Sequence, residues 1–483
     1  MAKITAVIDI GSNSARMAIF EKTSHFGFHL IYETKSKVRI SENSYQNNGY
    51  LQKEPISRTI DALQDFLNIA KYHKARKIFC VATSAVRDAP NKNILLAEAR
   101  KIGLNIKVIN GESEAYFGAI AALNLLHFND GITIDIGGGS TECALIKEGK
   151  IIDKISLNLG TIRLKELFFD KLDYNGAYKF VKDSLSQLPE HFKHKRVFAI
   201  GGTARALSKA ILKHTKYPLN SLHGFSYPFL EHHLFFESIC TSSQKNLTKL
   251  GIKEDRLDSI QGGTLIFHLA LNKFGAIEVI TSGVGIREGV FLNDLLRNSD
   301  GRFPKNFNPS VRNIKDRFIK NKEKSKHTKL IMTKLLKTMQ NTEIQPFYKH
   351  LFIASELSDI GISLNFYEKN HHGGYIVFNA LNYALSHQDR LLIATLIKYI
   401  NKKIPSILEY EELLPSSKIL NILVFLLSLS DVLSYAKNPK LINITTNEDS
   451  LSTTINIQME DSYITKEKLN KLNIPPFFKI NLC

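Results

Sequence analysis

Cysteine is scarce and scattered. The chain has four, Cys80, Cys143, Cys240 and Cys483, with no CxxC pair among them. That spacing gives no reason to expect a zinc site or a disulfide framework, and it fits a reducing, cytoplasmic compartment. Cys143 reads as a small strand residue that packs well. Long apolar runs are also missing. The most apolar late stretch, residues 419–429, is interrupted by Asn421 and Ser428. It falls short of the roughly 20 residues that a membrane helix needs, so it reads as a buried helix. Met1-Ala2-Lys3-Ile4 runs straight into a strand pattern without an apolar leader, so neither a secretory signal nor a membrane partner is expected. Acidic side chains are in the minority. There are 46 Asp and Glu against 64 Lys and Arg, a formal net charge of +18. Such a surface concentrates polyanions such as nucleic acid, polyphosphate or nucleotides, although a solvated basic face gives the same total.

What is present is an ordinary apolar share, 43% of 483 residues, enough for two to four packed domains. From residue 3 to about 129 the pattern alternates. Strands are expected at 5–9, 15–21, 28–35, 77–82 and 106–109, and helices at 56–71, 93–102 and 113–126. The theme returns between 131 and 296. Three strands (131–135, 142–147, 150–156) read as a meander, followed by helices at 160–167 and 178–185. Then come a strand at 196–200, a Gly201-Gly202-Thr203 turn, a helix at 204–214, a strand at 276–281 and a helix from about Arg287. Residues 302–329 are rich in Lys and Arg and read as a linker into a basic helix. Beyond them the pattern is mainly helical, with alternation near 440–446 and 451–459 and a loop-like end at Ile474-Pro475-Pro476. The fold class is therefore α/β with a third, mainly helical domain: residues 1–128, 129–300 and 301–483.

One segment occurs twice. Residues 6–21 read AVIDIGSNSARMAIFE, and residues 131–149 read GITIDIGGGSTECALIKEG. Each is a β-branched strand ending in Asp, a Gly/Ser turn and a second apolar strand. Backbone N–H groups exposed beside a carboxylate suit a phosphate chain with a divalent cation. A single such turn could be an ordinary hairpin. Two copies, each with Asp at the strand end (Asp9 and Asp135), point to two halves facing a cleft.

Several further segments stand in order along the first 300 residues: Ala82-Thr83-Ser84-Ala85-Val86-Arg87, Gly111-Glu112-Ser113-Glu114-Ala115, Ile200-Gly201-Gly202-Thr203, and Ser282-Gly283-Val284-Gly285-Ile286-Arg287-Glu288-Gly289. Together with the paired turns, they resemble the exopolyphosphatase / guanosine pentaphosphate phosphohydrolase family of the sugar kinase–actin superfamily. The resemblance implies two actin-like (ribonuclease H-like) α/β domains facing a cleft. It also implies release of terminal phosphate from inorganic polyphosphate, or conversion of guanosine pentaphosphate to the tetraphosphate, with Mg²⁺.

On that resemblance Glu114 is the water-activating base, although Glu112 and Glu114 also suit a helix N-terminus by charge alone. Asp135 and Glu142 complete the catalytic set, and Asp9, Asp135 and Glu142 are the candidate Mg²⁺ ligands. Gly137, Gly138, Gly139 and Ser140 would donate to the terminal phosphate from one side, and Ser12, Asn13 and Ser14 from the other. Arg87, placed in a loop, would clamp phosphate bidentately, or else pair with Asp88. Thr203 and Arg287, with the glycines beside them, either line the far end of the cleft or belong to tight turns and a structural ion pair.

The C-terminal third resembles an HD-type metal-dependent domain with a broken motif. His327, Ser358-Asp359 and Asp431 fall where His, His-Asp and Asp would stand, and Ser358 removes a ligand. His371-His372 reads as a relic with a structural or channel role. Lys315, Arg317, Lys320, Lys322, Lys324 and Lys326 would either hold the distal end of a polymer or coat a solvated helix. The expected partners are polyphosphate and guanosine pentaphosphate, with no nucleic acid, in a homodimer. The competing readings are an alarmone sensor without turnover and a sugar-kinase-like phosphotransferase.

Overall fold

β-Branched residues on both faces of a segment favour the middle of a sheet that is covered on both sides. In the computed structural model, which describes residues 4–448 and 452–482, the segment ITAVIDI takes that place as β1 (Ile4–Ile10). It is flanked by the antiparallel meander β2 (Ala15–Lys22) and β3 (Phe28–Ser36) on one side. On the other side lie the parallel strands β4 (Lys77–Ala82) and β5 (Lys107–Val108). The order is β3-β2-β1-β4-β5.

The second sheet contains β6 (Gly131–Ile136), β7 (Thr141–Lys147), β8 (Lys150–Leu157), β9 (Arg196–Ile200), β10 (Ser226–Pro228) and β11 (Glu278–Thr281), in the order β10-β11-β9-β6-β7-β8. Its run β8-β7-β6-β9-β11 repeats the strand directions of the first sheet. The sequence duplication is thus a duplication of topology.

Helices cover the sheets: α1 (Lys53–Tyr72), α2 (Ser84–Arg87), α3 (Lys92–Lys101), α4 (Gly111–Leu125), α5 (Thr161–Leu167), α6 (Tyr174–Ser186), α7 (Gly201–His214), α8 (Phe229–Thr241), α9 (Gln244–Lys249), α10 (Ile260–Phe274) and α11 (Ile286–Leu295). Two of them cross over. Helix α4 follows the first sheet in sequence, but its Ala119, Ala122 and Leu123 pack with Ala144, Phe198, Ile200 and Ile280 of the second. Helix α11 follows the second sheet, but its Phe291 stacks on Phe20 of β2, with ring centroids 4.4 Å apart. The two helices meet at Gly289, where a Cβ would lie 2.0 Å from the carbonyl oxygen of Phe117. Only glycine permits that approach.

The chain divides into two compact units after Phe307. Residues 301–307 therefore stay with the first unit rather than opening a C-terminal domain. Asn124 ties them there, donating from Nδ2 to Gly301 O at 2.9 Å and accepting from Phe303 N at 3.1 Å.

The second unit holds α12 (Pro309–Phe318), α13 (Lys322–Thr338), α14 (Tyr348–Leu357), α15 (Lys369–Ala380), α16 (His387–Lys398), α17 (Ser417–Leu433) and α18 (Tyr463–Asn470). A small sheet joins them: β12 (Asn443–Glu448), β13 (Thr453–Gln458) and β14 (Phe478–Leu482). The apolar stretch around Ile422–Leu427 lies in α17, buried on all sides in this unit's core. No helix of the described residues is long and apolar enough to cross a membrane.

Local geometry differs from expectation in four places. Arg87 closes the short helix α2 instead of sitting in a loop. Gly201-Gly202-Thr203 is the first turn of α7 rather than a free turn, with Gly201 at φ 88° making the corner out of β9. The basic stretch holds two helices, α12 and α13, rather than a linker into one. Ile474-Pro475-Pro476 is a loop, but strand β14 follows it, because alternating Phe478 and Ile480 pack against the core. Leu451, at the start of one expected strand, lies outside the described residues.

Candidate active site

The two Asp-Ile-Gly turns are built alike. Gly11 N donates to Ser14 O at 3.1 Å, and Gly137 N donates to Ser140 O at 2.9 Å. Each turn joins an antiparallel pair, so the residue opposite each Asp is fixed by register. Glu142 stands opposite Asp135, and Arg16 stands opposite Asp9. The turns also press against each other. A Cβ on Gly138 would lie 2.6 Å from Ser12 Cβ, and one on Gly201 would lie 2.1 Å from Asp135 Oδ1. Between them is a cavity of about 150 Å³.

One end of this cavity is acidic. Asn110 caps α4 by accepting from Ser113 N at 2.8 Å, which places Glu114 in the first turn of the helix. Gly111 allows the helix to approach β8 closely, since a Cβ there would lie 2.2 Å from Ser156 Cβ. Ser156 in turn donates to Glu142 Oε1 at 2.8 Å. Glu114 and Glu142 are thereby brought together. Burial, then Glu142 and then Asp9 push the Glu114 carboxyl well above its usual range, while Arg87 opposes them. Burial lifts Glu142 to about 7 against the hydrogen bond from Ser156, and lifts Asp9 to about 6 against Arg287 and Arg16. Asp135 is also raised, by burial. Carboxyls crowded in this way await a cation or a proton.

The other end is cationic. Arg16, Arg205 and Arg287 line the same cavity. Arg287 pairs with Glu33 at 2.7 Å, and Arg205 donates to Gly283 O at 3.2 Å. Burial and then Arg16 lower Arg205 to about 10. Arg287 is buried and Arg16 and Arg205 are half-buried, and although Asp9, Glu33, Asp135 and Glu288 lie near them, three guanidiniums on one cavity form a ready polyanion site.

The sequence-derived residues divide accordingly. Asp9, Ser12, Asn13, Ser14, Glu114, Asp135, Gly137, Gly138, Glu142 and Arg287 line the cavity. Gly139 stands behind it, against Tyr45 and Ser84. Ser140 is buried in the turn below. Arg87 does not line the cavity. Its Nη1 donates to Glu114 Oε2 at 3.3 Å and Ile109 O at 3.4 Å, and its Nε to Asp88 at 3.2 Å, so it pairs with the glutamate as well as with Asp88. Thr203 is buried against the Gly263 backbone, away from the cavity.

The profile of the Ppx/GppA phosphatase family matches residues 18–298, and that of Ppx/GppA phosphatase domain III matches residues 308–475. The chain belongs to the Ppx/GppA phosphatase family. A bifunctional 3-dehydroquinate synthase/phosphatase of Fusobacterium nucleatum is 34% identical over 305 residues, 58% of this chain but only 45% of that protein. A guanosine-5'-triphosphate,3'-diphosphate pyrophosphatase of Pseudoalteromonas translucida is 26% identical over 412 residues, 82% of this chain and 80% of that one. Among solved structures, the Ppx/GppA family member of Aquifex aeolicus matches with TM-score 0.53 at 26% identity, covering 62% of this chain and 99% of that chain. An exopolyphosphatase of Cytophaga hutchinsonii shares the fold, with TM-score 0.56 at 21% identity over 61% of this chain and 98% of its own. The actin-like α/β architecture with a helical C-terminal domain is therefore that of the family.

Two members of the site, Arg16 and Arg205, were not found by sequence reasoning. Arg16 had a signal. Aligning the two copies of the repeat sets it beside Glu142, but only strand register reveals that both side chains stand opposite the cleft aspartate. Arg205 had none, since it enters the cavity one helical turn after Gly201.

Proposed function

We propose that this phosphatase-family chain hydrolyses the terminal phosphoanhydride of inorganic polyphosphate, of guanosine pentaphosphate, or of both, with Mg²⁺. The observation that carries this reading is the polarity of the cavity between the two turns, with the Glu114/Glu142 pair at one end and Arg16, Arg205 and Arg287 at the other. A chain of phosphates would fit with its terminal group at the acidic end and its inner anionic groups on the guanidiniums. The names of the Pseudoalteromonas and Cytophaga relatives supply the two substrate classes.

The residues present suit magnesium. Asp9 Oδ1 is buried without a hydrogen-bond partner among the described residues, and Asp135 Oδ1 lies over the bare Gly201 backbone. No three His, Cys, Asp or Glu residues among those described could hold an ion by themselves. That agrees with an ion that takes one or two carboxylates and completes its shell with water and phosphate oxygens. Asp9, Asp135 and Glu142 would hold it, one or two of them directly and the rest through water, and it would neutralise charge on the phosphate oxygens.

The protein supplies the rest. Gly138 and Ser12 present donors to the terminal phosphoryl group from both turns, while the Gly137 N–H closes its own turn on Ser140 O. Glu114, oriented by Arg87, accepts the proton of the attacking water at its carboxylate. The departing phosphate is already a weak base, so no dedicated acid is required. The two turns touch at Ser12 and Gly138, which keeps other acceptors away.

Incubation with Mg²⁺ and long-chain polyphosphate, then with guanosine pentaphosphate, should release orthophosphate from at least one of them. Release should stop with chelator. Binding of both substrates without release would overturn the reading in favour of a sensor. Transfer of phosphate from ATP to a sugar would favour a kinase.

A further inference from the structure

The second unit buries a lysine at its centre. Lys324, in the first turn of α13, has a side chain only 7% exposed. Its Nζ lies 2.5 Å from Asp359 Oδ2, just beyond α14, and 2.9 Å from Asp431 Oδ1 on α17. The Tyr435 ring lies 4.1 Å from the same ammonium. The two remaining carboxylate oxygens are also engaged. Asp359 Oδ1 accepts from Lys369 Nζ at 2.8 Å, and Asp431 Oδ2 accepts from Asn401 Nδ2 at 2.9 Å. All four oxygens of the pair therefore have donors, and one ammonium bridges the two side chains.

Two carboxylates drawn together inside this unit, Asp431 buried and Asp359 mostly so, repel each other and require a cation between them. A divalent ion would meet that need, but the surroundings do not suit one. Ser358 turns its hydroxyl back to Ser355 O, at 3.3 Å. No group of three metal-ligating residues forms among the described residues. We propose that the Lys324 ammonium is the permanent cation of this centre, standing where a divalent metal would otherwise be required, so that the helical unit is held together without metal. Lys324 is then unavailable to a polyanion, as is Lys315, which is tied to Glu356 at 3.1 Å. The direction of titration agrees: the two aspartates outweigh burial and hold the lysine above its ordinary range.

Manganese binding and hydrogen exchange on the full chain test this. In the wild type, Asp359→Asn and Asp431→Asn should leave the number of bound Mn²⁺ ions unchanged, and chelator should leave amide protection in α13, α14 and α17 unchanged. Lys324→Ala should lose protection in those helices by tenfold or more, and Mn²⁺ should restore part of it by entering the vacated place. A drop in bound Mn²⁺ on either aspartate substitution would overturn the proposal, as would full protection in metal-free Lys324→Ala. Should Lys324→Ala not fold, Lys324→Met combined with Asp431→Asn removes one charge of each sign. Its recovery of protection over Lys324→Met alone would support the cage, and no recovery would count against it.

Discussion

Arg16 faces Asp9 across the first hairpin in the register that Glu142 holds opposite Asp135 in the second. A duplicated scaffold has thus been given opposite charges at equivalent points. The second copy, with Glu114 brought against it by the crossover of α4, forms the acidic end of the cavity. The first copy turns a guanidinium into the same space. A symmetric pair of acidic turns would repel an oligophosphate. This pair offers the cation site and the anion site side by side.

Arg16→Ala should therefore weaken substrate binding while leaving the chemistry largely intact. Loss of one charge-assisted contact is worth about 1.5–3 kcal/mol, which corresponds to a KM higher by roughly ten- to a hundredfold. Steady-state phosphate release at several salt concentrations would measure it, and the variant should show a shallower salt dependence. Arg16→Lys should recover only part, because an ammonium cannot contact phosphate bidentately. A fall in kcat at unchanged KM would assign Arg16 to the chemical step instead.

Glu114→Gln keeps the size of the side chain and removes the proton acceptor. Its expected cost is about 10²- to 10⁴-fold in kcat, with KM and thermal stability close to those of the wild type. Arg87→Ala should lower kcat less than Glu114→Gln does, since Arg87 acts by holding Glu114. If the combined variant were slower than Glu114→Gln by the full Arg87→Ala factor, the two would be acting independently.

Gly289→Ala places a methyl group against the Phe117 carbonyl, where α11 crosses α4. Backbone has to move to accept it, at a cost of roughly 1–3 kcal/mol. Thermal unfolding should shift downward, and activity should fall as α4 carries Glu114 out of line. An unshifted midpoint would mean that the crossing is looser than the glycine implies.

The helical unit should lose stability on the acid side. At Asp359 and Glu356, burial acts to raise the carboxyl, but lysine neighbours outweigh it and hold both below the ordinary range. At Asp389, His350 and the Ser386 cap do the same. Acids whose pKa is depressed on folding stabilise the native state above their unfolded values, about 3.9–4.3, and that contribution fades as pH falls through the folded ones. Protection of α13 to α17 in hydrogen exchange should be level from about pH 5 upward and fall below about pH 4. Protection that increases on acidification would contradict the assignment.

Much of this site was legible in the chain because glycine, Asp and β-branched strands mark a phosphate turn through backbone chemistry alone. Strands 77–82 and 196–200 match β4 and β9 residue for residue, since short buried strands have sharp apolar edges. What the sequence hid is tertiary. Nothing in Gly111 or Gly289 announces that α4 and α11 exchange sheets, and that exchange decides which carboxylates meet. The pairing of Arg87 with Glu114 was hidden because the two stand 27 positions apart. Lys324 read as part of a basic surface because a run of lysines does not reveal which one turns inward.

Hydrolysis in water enriched in ¹⁸O tests the central claim most directly. With guanosine pentaphosphate or polyphosphate as substrate and Mg²⁺ present, the wild type should release orthophosphate carrying one solvent oxygen, and Glu114→Gln should slow that labelled release by at least a hundredfold. Unlabelled phosphate, or labelled release that proceeds unchanged without the Glu114 carboxylate, would contradict water activation in this cleft.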